Sequence, residues 1–103
     1  MSNVKIRVKV DADMSDIMPY FLRAMKKDVA AIEDALPKKE YQFLIDFGHK
    51  LKGNGPSYGL NDLGQMGIEI EKAAKNEKID LCISIFEKIK DYMKRLEIEY
   101  VSR

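Results

Sequence analysis

Imidazole chemistry in this chain can come from one residue only: His49 is the sole histidine among 103 residues. It sits in the run Phe47-Gly48-His49-Lys50-Leu51-Lys52-Gly53. A lone imidazole can be a core residue, a general base or a phosphoryl acceptor. The neighbours favour the third. Lys52 lies three positions on and Gly53 four positions on, so on a helix both flank the ring. Lys52 brings positive charge, and Gly53 brings no side chain at all. A phosphoryl group needs charge nearby and open access.

The rest of the composition narrows the setting. The length fits one small domain, residues 1–103, with one core. The formal net charge of +1 removes the bulk electrostatic case for nucleic acid or an anionic membrane. No apolar stretch approaches the ~20 residues of a membrane span. The N-terminus Met1-Ser2-Asn3-Val4-Lys5 has no apolar signal core, and one cysteine cannot form an internal disulfide. A reducing, cytoplasmic setting is expected. Cys82 lies on an apolar helical stripe and reads as a buried small hydrophobe.

Four apolar stripes of helical period must position His49. The first is Met18, Phe21, Leu22, Met25, Val29, Ile32 and Leu36; the second is Tyr41, Leu44, Phe47, Gly48 and Leu51. The third is Leu60, Leu63, Met66, Gly67, Ile70 and Ala74, and the fourth is Ile79, Cys82, Phe86, Ile89, Met93 and Leu96. Pro19 belongs in a first turn, so the first helix should start near residue 18, after a short turn capped by Asp13 or Ser15. Asn61 suits the N-cap of the third. Gly55 precedes Pro56, which disfavours helix there, so the second helix should end near Gly53 or Asn54. Amphipathic helices of this length with short connections bury their stripes against each other. The expected fold is all-α, an up-down four-helix bundle. At about 100° per residue the second stripe centres about 130° from His49, which turns the ring toward solvent.

The termini differ. Val4, Ile6, Val8 and Val10 alternate with Lys5, Arg7 and Lys9, and Leu96, Ile98 and Tyr100 alternate with Glu97 and Glu99. Equal period and opposite charge suit a short antiparallel β-ribbon joining the two ends. The last residues also fit the fourth helix continued to Tyr100.

His49-Lys50-Leu51-Lys52-Gly53, followed by Gly59, Leu63, Ile70 and Glu71, resembles the pattern of the histidine phosphotransfer (HPt) domain. Pro19-Tyr20-Phe21-Leu22, Ser57-Tyr58-Gly59 and the strand-like ends resemble its stand-alone bacterial type. The resemblance covers roughly residues 14–96. It departs at Pro56, and Ile70 replaces a leucine. It implies a phosphoryl carrier of a two-component phosphorelay, with no ATP-binding or kinase activity of its own. His49 would be the phosphoryl acceptor, Lys52 would stabilise the phosphoryl charge, and Gly53 would let a partner reach the ring. Gln42 or Gln65 would orient the second ring nitrogen. Gly59, Gly64 and Gly67 would keep the facing helix low around the site. The implied partners are receiver domains of response regulators and a hybrid sensor histidine kinase. No cofactor is implied for this chain, since Mg2+ belongs to the receiver. Ile45, Tyr58, Gly59 and Leu60 would form a docking patch, rimmed by Lys50, Lys52 and Asp46. A monomer is expected.

Three other readings stand beside this one. The bundle could bind a receiver or kinase without ever being phosphorylated. His49 could act as the general base of a small hydrolase, with Asp46 one turn earlier as its partner. Lys5, Arg7 and Lys9 could contact nucleic acid, although they are few and Glu97 and Glu99 oppose them.

Overall fold

A computed structural model describes residues 4–102; residues 1–3, part of the stretch read above for a signal core, and residue 103 lie outside it. The elements are β1 (Ile6–Asp11), a 3-10 turn (Ala12–Met14), α1 (Met18–Ala35), α2 (Tyr41–Ser57), α3 (Asn61–Lys75), α4 (Ile79–Arg95) and β2 (Leu96–Val101). The four helices form the bundle that their stripes require. Met18, Met25, Ile32, Leu44, Leu51, Leu63, Ile70, Phe86 and Ile89 have almost no solvent contact. Cys82 is fully buried, and burial pushes its thiol pKa up, as a core cysteine should behave. No described helix is long and apolar enough to cross a membrane.

The bundle turns its corners three times by one device. After α1, Lys39 N–H donates to Leu36 O and Glu40 N–H to Ala35 O. After α2, Gly59 N–H reaches Pro56 O and Leu60 N–H reaches Gly55 O; after α3, Glu77 N–H reaches Ala74 O and Lys78 N–H reaches Ala73 O. Each pair is the crossed hydrogen bonding that closes a helix on a left-handed residue. Those residues are Lys39 (φ 53°), Gly59 (φ 80°) and Glu77 (φ 52°). Only one is glycine, so glycine alone does not reveal these stops. The caps also differ from expectation. Asp11, not Asp13 or Ser15, caps the 3-10 turn by accepting from Asp13 N–H at 2.9 Å. Asn61 opens α3 from inside, one residue past the N-cap Leu60.

Helix α2 runs to Ser57, past the expected stop at Gly53 or Asn54, with Pro56 inside it. Proline clashes with the Cβ of the residue before it, and Gly55 has none. The ring packs on Gly64 of α3, where a Cβ would lie only 2.7 Å from the Pro56 Cδ. The absent Pro56 N–H is lost in the last turn, where Ser57 Oγ donates to Gly53 O at 3.0 Å.

The termini do pair, but the strands are parallel, not antiparallel, with Ile6 opposite Leu96 and Asp11 opposite Val101. β2 continues directly from α4, so its root is at Arg95. β1 starts at the same root, where Arg95 Nε donates to Val4 O at 2.7 Å. The two strands then run side by side, and residues 12–17 reverse the chain into α1. Parallel strands need a long crossover, and here the whole bundle serves as one. Ile6, Val8, Val10, Leu96 and Ile98 pack inward, while Arg7 meets Glu97 at 3.7 Å on the outer face. In the ladder Arg7 and Lys9 of β1 thus stand opposite Glu97 and Glu99 of β2.

The tightest contact in the bundle joins α2 to α3. A Cβ on Gly67 would lie 2.6 Å from Leu51 Cβ, 2.7 Å from Gly48 O and 2.8 Å from Lys52 N. A Cβ on Gly48 would meet Gly67 O at 2.6 Å. Backbone cannot swing aside as a side chain can. At Gly53, by contrast, a Cβ would have nothing within 4 Å. The same substitution should therefore have opposite signs at the two helical positions. Gly67→Ala should destabilise the fold by roughly 1–3 kcal/mol through overpacking. Gly53→Ala should stabilise it by about 1 kcal/mol through helix propensity. Denaturant unfolding of both variants checks this, and a Gly67→Ala protein as stable as the wild type would contradict the backbone contact.

Candidate functional site

His49 lies on the outward side of α2, with its side chain 72% exposed. Its Nδ1 is 3.2 Å from Oε2 of Glu71 on α3, a carboxylate only 11% exposed. An ionised carboxylate can only accept, so the ring proton belongs on Nδ1. Nε2 then carries the lone pair. It has no partner among the described residues and sits on the exposed ring.

Backbone packing sets this contact. Gly48 precedes His49, and Gly67 is one turn before Glu71. A Cβ on Gly48 would come within 2.8 Å of Glu71 N and 2.9 Å of Glu71 Cβ. The bare backbones let α3 lie close enough for a short carboxylate to reach the ring. Lys75, one turn further along α3, places Nζ 3.5 Å from the same Glu71 oxygen. A buried carboxylate is costly without partners. His49 supplies one from the facing helix α2, and Lys75 supplies the other from α3 itself.

The other expected residues divide. Lys52 is exposed and forms no ion pair among the described residues. Gly53 leaves open space beside it. Lys50 is held by Asp28 of α1 at 3.0 Å, so this lysine also ties α2 to α1. Asp46 accepts from Gln42 Nε2 at 2.9 Å, and the ring's hydrogen bond goes to neither of them. Gln65 is exposed on α3. The ring-orienting residue is therefore Glu71, not Gln42 or Gln65. The acidic neighbour sought in Asp46 is also Glu71. Gly67 and Gly64 do keep α3 close, whereas Gly59 acts elsewhere, as the left-handed residue of the α2–α3 turn.

The expected docking patch comes apart. Ile45, one turn before His49, is half-buried at the edge of the core. Tyr58 stacks on Phe21 with ring centres 4.1 Å apart, at the end of α2. It is nine residues from His49, about 13 Å along a helix axis. Gly59 is exposed in the turn, but Leu60 is 0% exposed and belongs to the core. It begins the third stripe, and that role consumes its side chain.

Sequence reasoning gave Glu71 no role. Beside its place in the HPt-like pattern, one physical signal was present. Glu71 is four residues past Gly67, which puts a carboxylate on the inward row of α3. A carboxylate in that position needs a partner. Lys75 gave no such signal. No three of His, Cys, Asp and Glu gather to hold a metal among the described residues.

Removing the carboxylate should release the tautomer. In the wild type, 15N NMR of labelled histidine near neutral pH should show the proton of the neutral ring on Nδ1. Glu71→Ala should move it toward Nε2, the form ordinarily favoured by an unconstrained imidazole. An unchanged ratio would mean that Glu71 does not orient the ring.

A family model described as the Hpt domain matches residues 16–99, most of the chain. No curated protein and no solved structure gives a significant match.

Proposed function

The chain belongs to the Hpt domain family, whose members take part in phosphorelays, and from that premise we propose that His49 Nε2 is its phosphoryl acceptor. Members of the family carry phosphoryl groups and are not kinases. The donor is the acyl phosphate of a receiver-domain aspartate. In the forward step the bond from phosphorus to the aspartate oxygen breaks and a bond to Nε2 forms. The aspartate carboxylate leaves, and the Nδ1 proton stays toward Glu71. The reverse step passes the group to a second receiver. A hybrid sensor histidine kinase is the expected source. Mg2+ would be held by the receiver, and this chain would act as a cytoplasmic monomer.

One observation carries the reading: Nδ1 is engaged by a nearly buried carboxylate while the ring as a whole is exposed. A core histidine would not be open to solvent, and an incidental surface histidine would not have a carboxylate held beneath it by two glycines. Phosphoryl transfer needs mainly position and charge. Glu71 positions the ring. Lys52, one turn away and without an ion pair among the described residues, would meet the phosphoryl oxygens. Lys75 would add a second positive charge on the α3 side. An exposed ring also suits a macromolecular donor, because the partner's surface completes the site. The same exposure disfavours a hydrolase that must enclose a small substrate.

Incubation with a panel of phosphorylated receiver domains tests the assignment. Wild-type protein should gain an acid-labile, base-stable label, and His49→Gln should gain none. Binding without label on the wild type would instead make this chain a phosphate-independent interaction module. Gly53→Ala separates access from folding. Its transfer should slow by about tenfold or more, since small displacements at a transfer site are costly, while its stability rises. Transfer at the wild-type rate would remove Gly53 from the docking surface.

A further inference from the structure

Helix α3 has two working faces. At about 100° per residue, Gly67 and Glu71 lie roughly opposite Glu69, Lys72 and Asn76. The first pair meets α2 and His49. The second face turns toward α4 and borders a groove of about 400 Å³. The floor of that groove is apolar, formed by Ala73 and Ile85, which are 2% and 4% exposed. Leu81 stands beside the floor at 47% exposure. The rim carries Lys72, Lys78 and Lys88, with Glu69 as its one acidic residue.

Elsewhere in the bundle some lysines are neutralised locally. Lys50, Lys75 and Lys90 are each matched to a carboxylate within 4 Å. Lys72, Lys78 and Lys88 have no such ion pair among the described residues. The chain as a whole carries a formal charge of only +1. The positive charge at the groove is therefore a local excess around an apolar strip, not a reflection of a basic protein.

We propose that the α3–α4 groove is the docking site of an acidic amphipathic helix from a partner protein. Its apolar stripe seats on Ala73 and Ile85 against Leu81, and its flanking carboxylates meet Lys72, Lys78 and Lys88. The dimensions fit. Lys78 to Lys88 spans ten residues, about 15 Å along α4 and nearly three turns of a docked helix. A second copy of this chain is a poor occupant, because a two-fold contact at the groove would set lysine against lysine. Nucleic acid would find too little charge and would leave the apolar strip uncovered. The groove and His49 lie on different sides of α3, so the helix would bind while the ring stays open to a receiver. This surface would recruit a partner independently of the phosphoryl state of His49.

Amide NMR with full-length 15N-labelled protein tests this directly. The probes are a panel of synthetic helical peptides with a leucine and alanine stripe flanked by glutamates. Controls are scrambled peptides of the same composition. The stripe peptides should shift the amides of Lys72, Ala73, Asn76, Leu81 and Lys88, and binding should weaken as salt rises. The exposed-site variant Leu81→Glu with Lys88→Glu should bind about tenfold or more weakly, and its amide spectrum reports that it is folded. His49→Gln should bind as the wild type does. Three results of the peptide titration would overturn the proposal: no peptide in the panel moves those amides, scrambled peptides bind equally, or the shifts fall around His49. Concentration-dependent shifts of the same amides without peptide would assign the groove to a second copy and would also overturn it.

Discussion

The close approach of α2 and α3 is the constraint on which the site depends. Gly48 and Gly67 bring backbone against backbone, nearer than any side chain would permit. That spacing is what lets Glu71, a residue of the inward row, reach Nδ1 of a histidine on the outward side of the neighbouring helix. Glycine inside a helix costs stability. Here the cost is offset by packing that no larger residue could make. Second-layer positioning of this kind is needed wherever a reactive group must be both exposed and oriented.

On the proposed reading, the site separates two demands that a single residue cannot meet. A nucleophile that serves a macromolecular partner has to stand clear of the protein surface. A ring that stands clear is free to rotate and to exchange its proton between nitrogens. Glu71 resolves this from below, being nearly buried itself and steadied by Lys75. Lys52 and Gly53 lie on the outward side, one with charge that no described carboxylate matches and the other with open space. The bundle supplies rigidity and the surface supplies access, and the boundary between them passes through the imidazole.

Elsewhere the fold shows how little local chemistry is needed once packing is set. Two of the three helix-to-helix turns place a lysine or a glutamate in the left-handed region. The crossed hydrogen bonds of each turn and the burial of the flanking helices hold them there. Pro56 is accommodated inside α2 because glycine precedes it and glycine faces it from α3. A residue that ordinarily ends a helix thereby becomes part of the helix interface.

The four helices, their inward faces and the outward turn of His49 were legible in the sequence, because amphipathic period is a one-dimensional signal of a three-dimensional burial. Cys82 as a core residue followed from the same period. The shared outward side of His49, Lys52 and Gly53 was legible because the three lie within one turn of each other. What tertiary structure decided were relations between segments. Strand direction is one: Arg7 and Lys9 can face Glu97 and Glu99 in either orientation, so pattern and charge are silent, and only the reversal at residues 12–17 makes the strands parallel. The fate of Leu60, in the core and not in the docking patch, depended on where the α2–α3 turn closed. The partner of the ring depended on a distance between helices. Glu71 is 22 residues from His49 in the chain, and no local propensity measures how near two glycines allow two backbones to come.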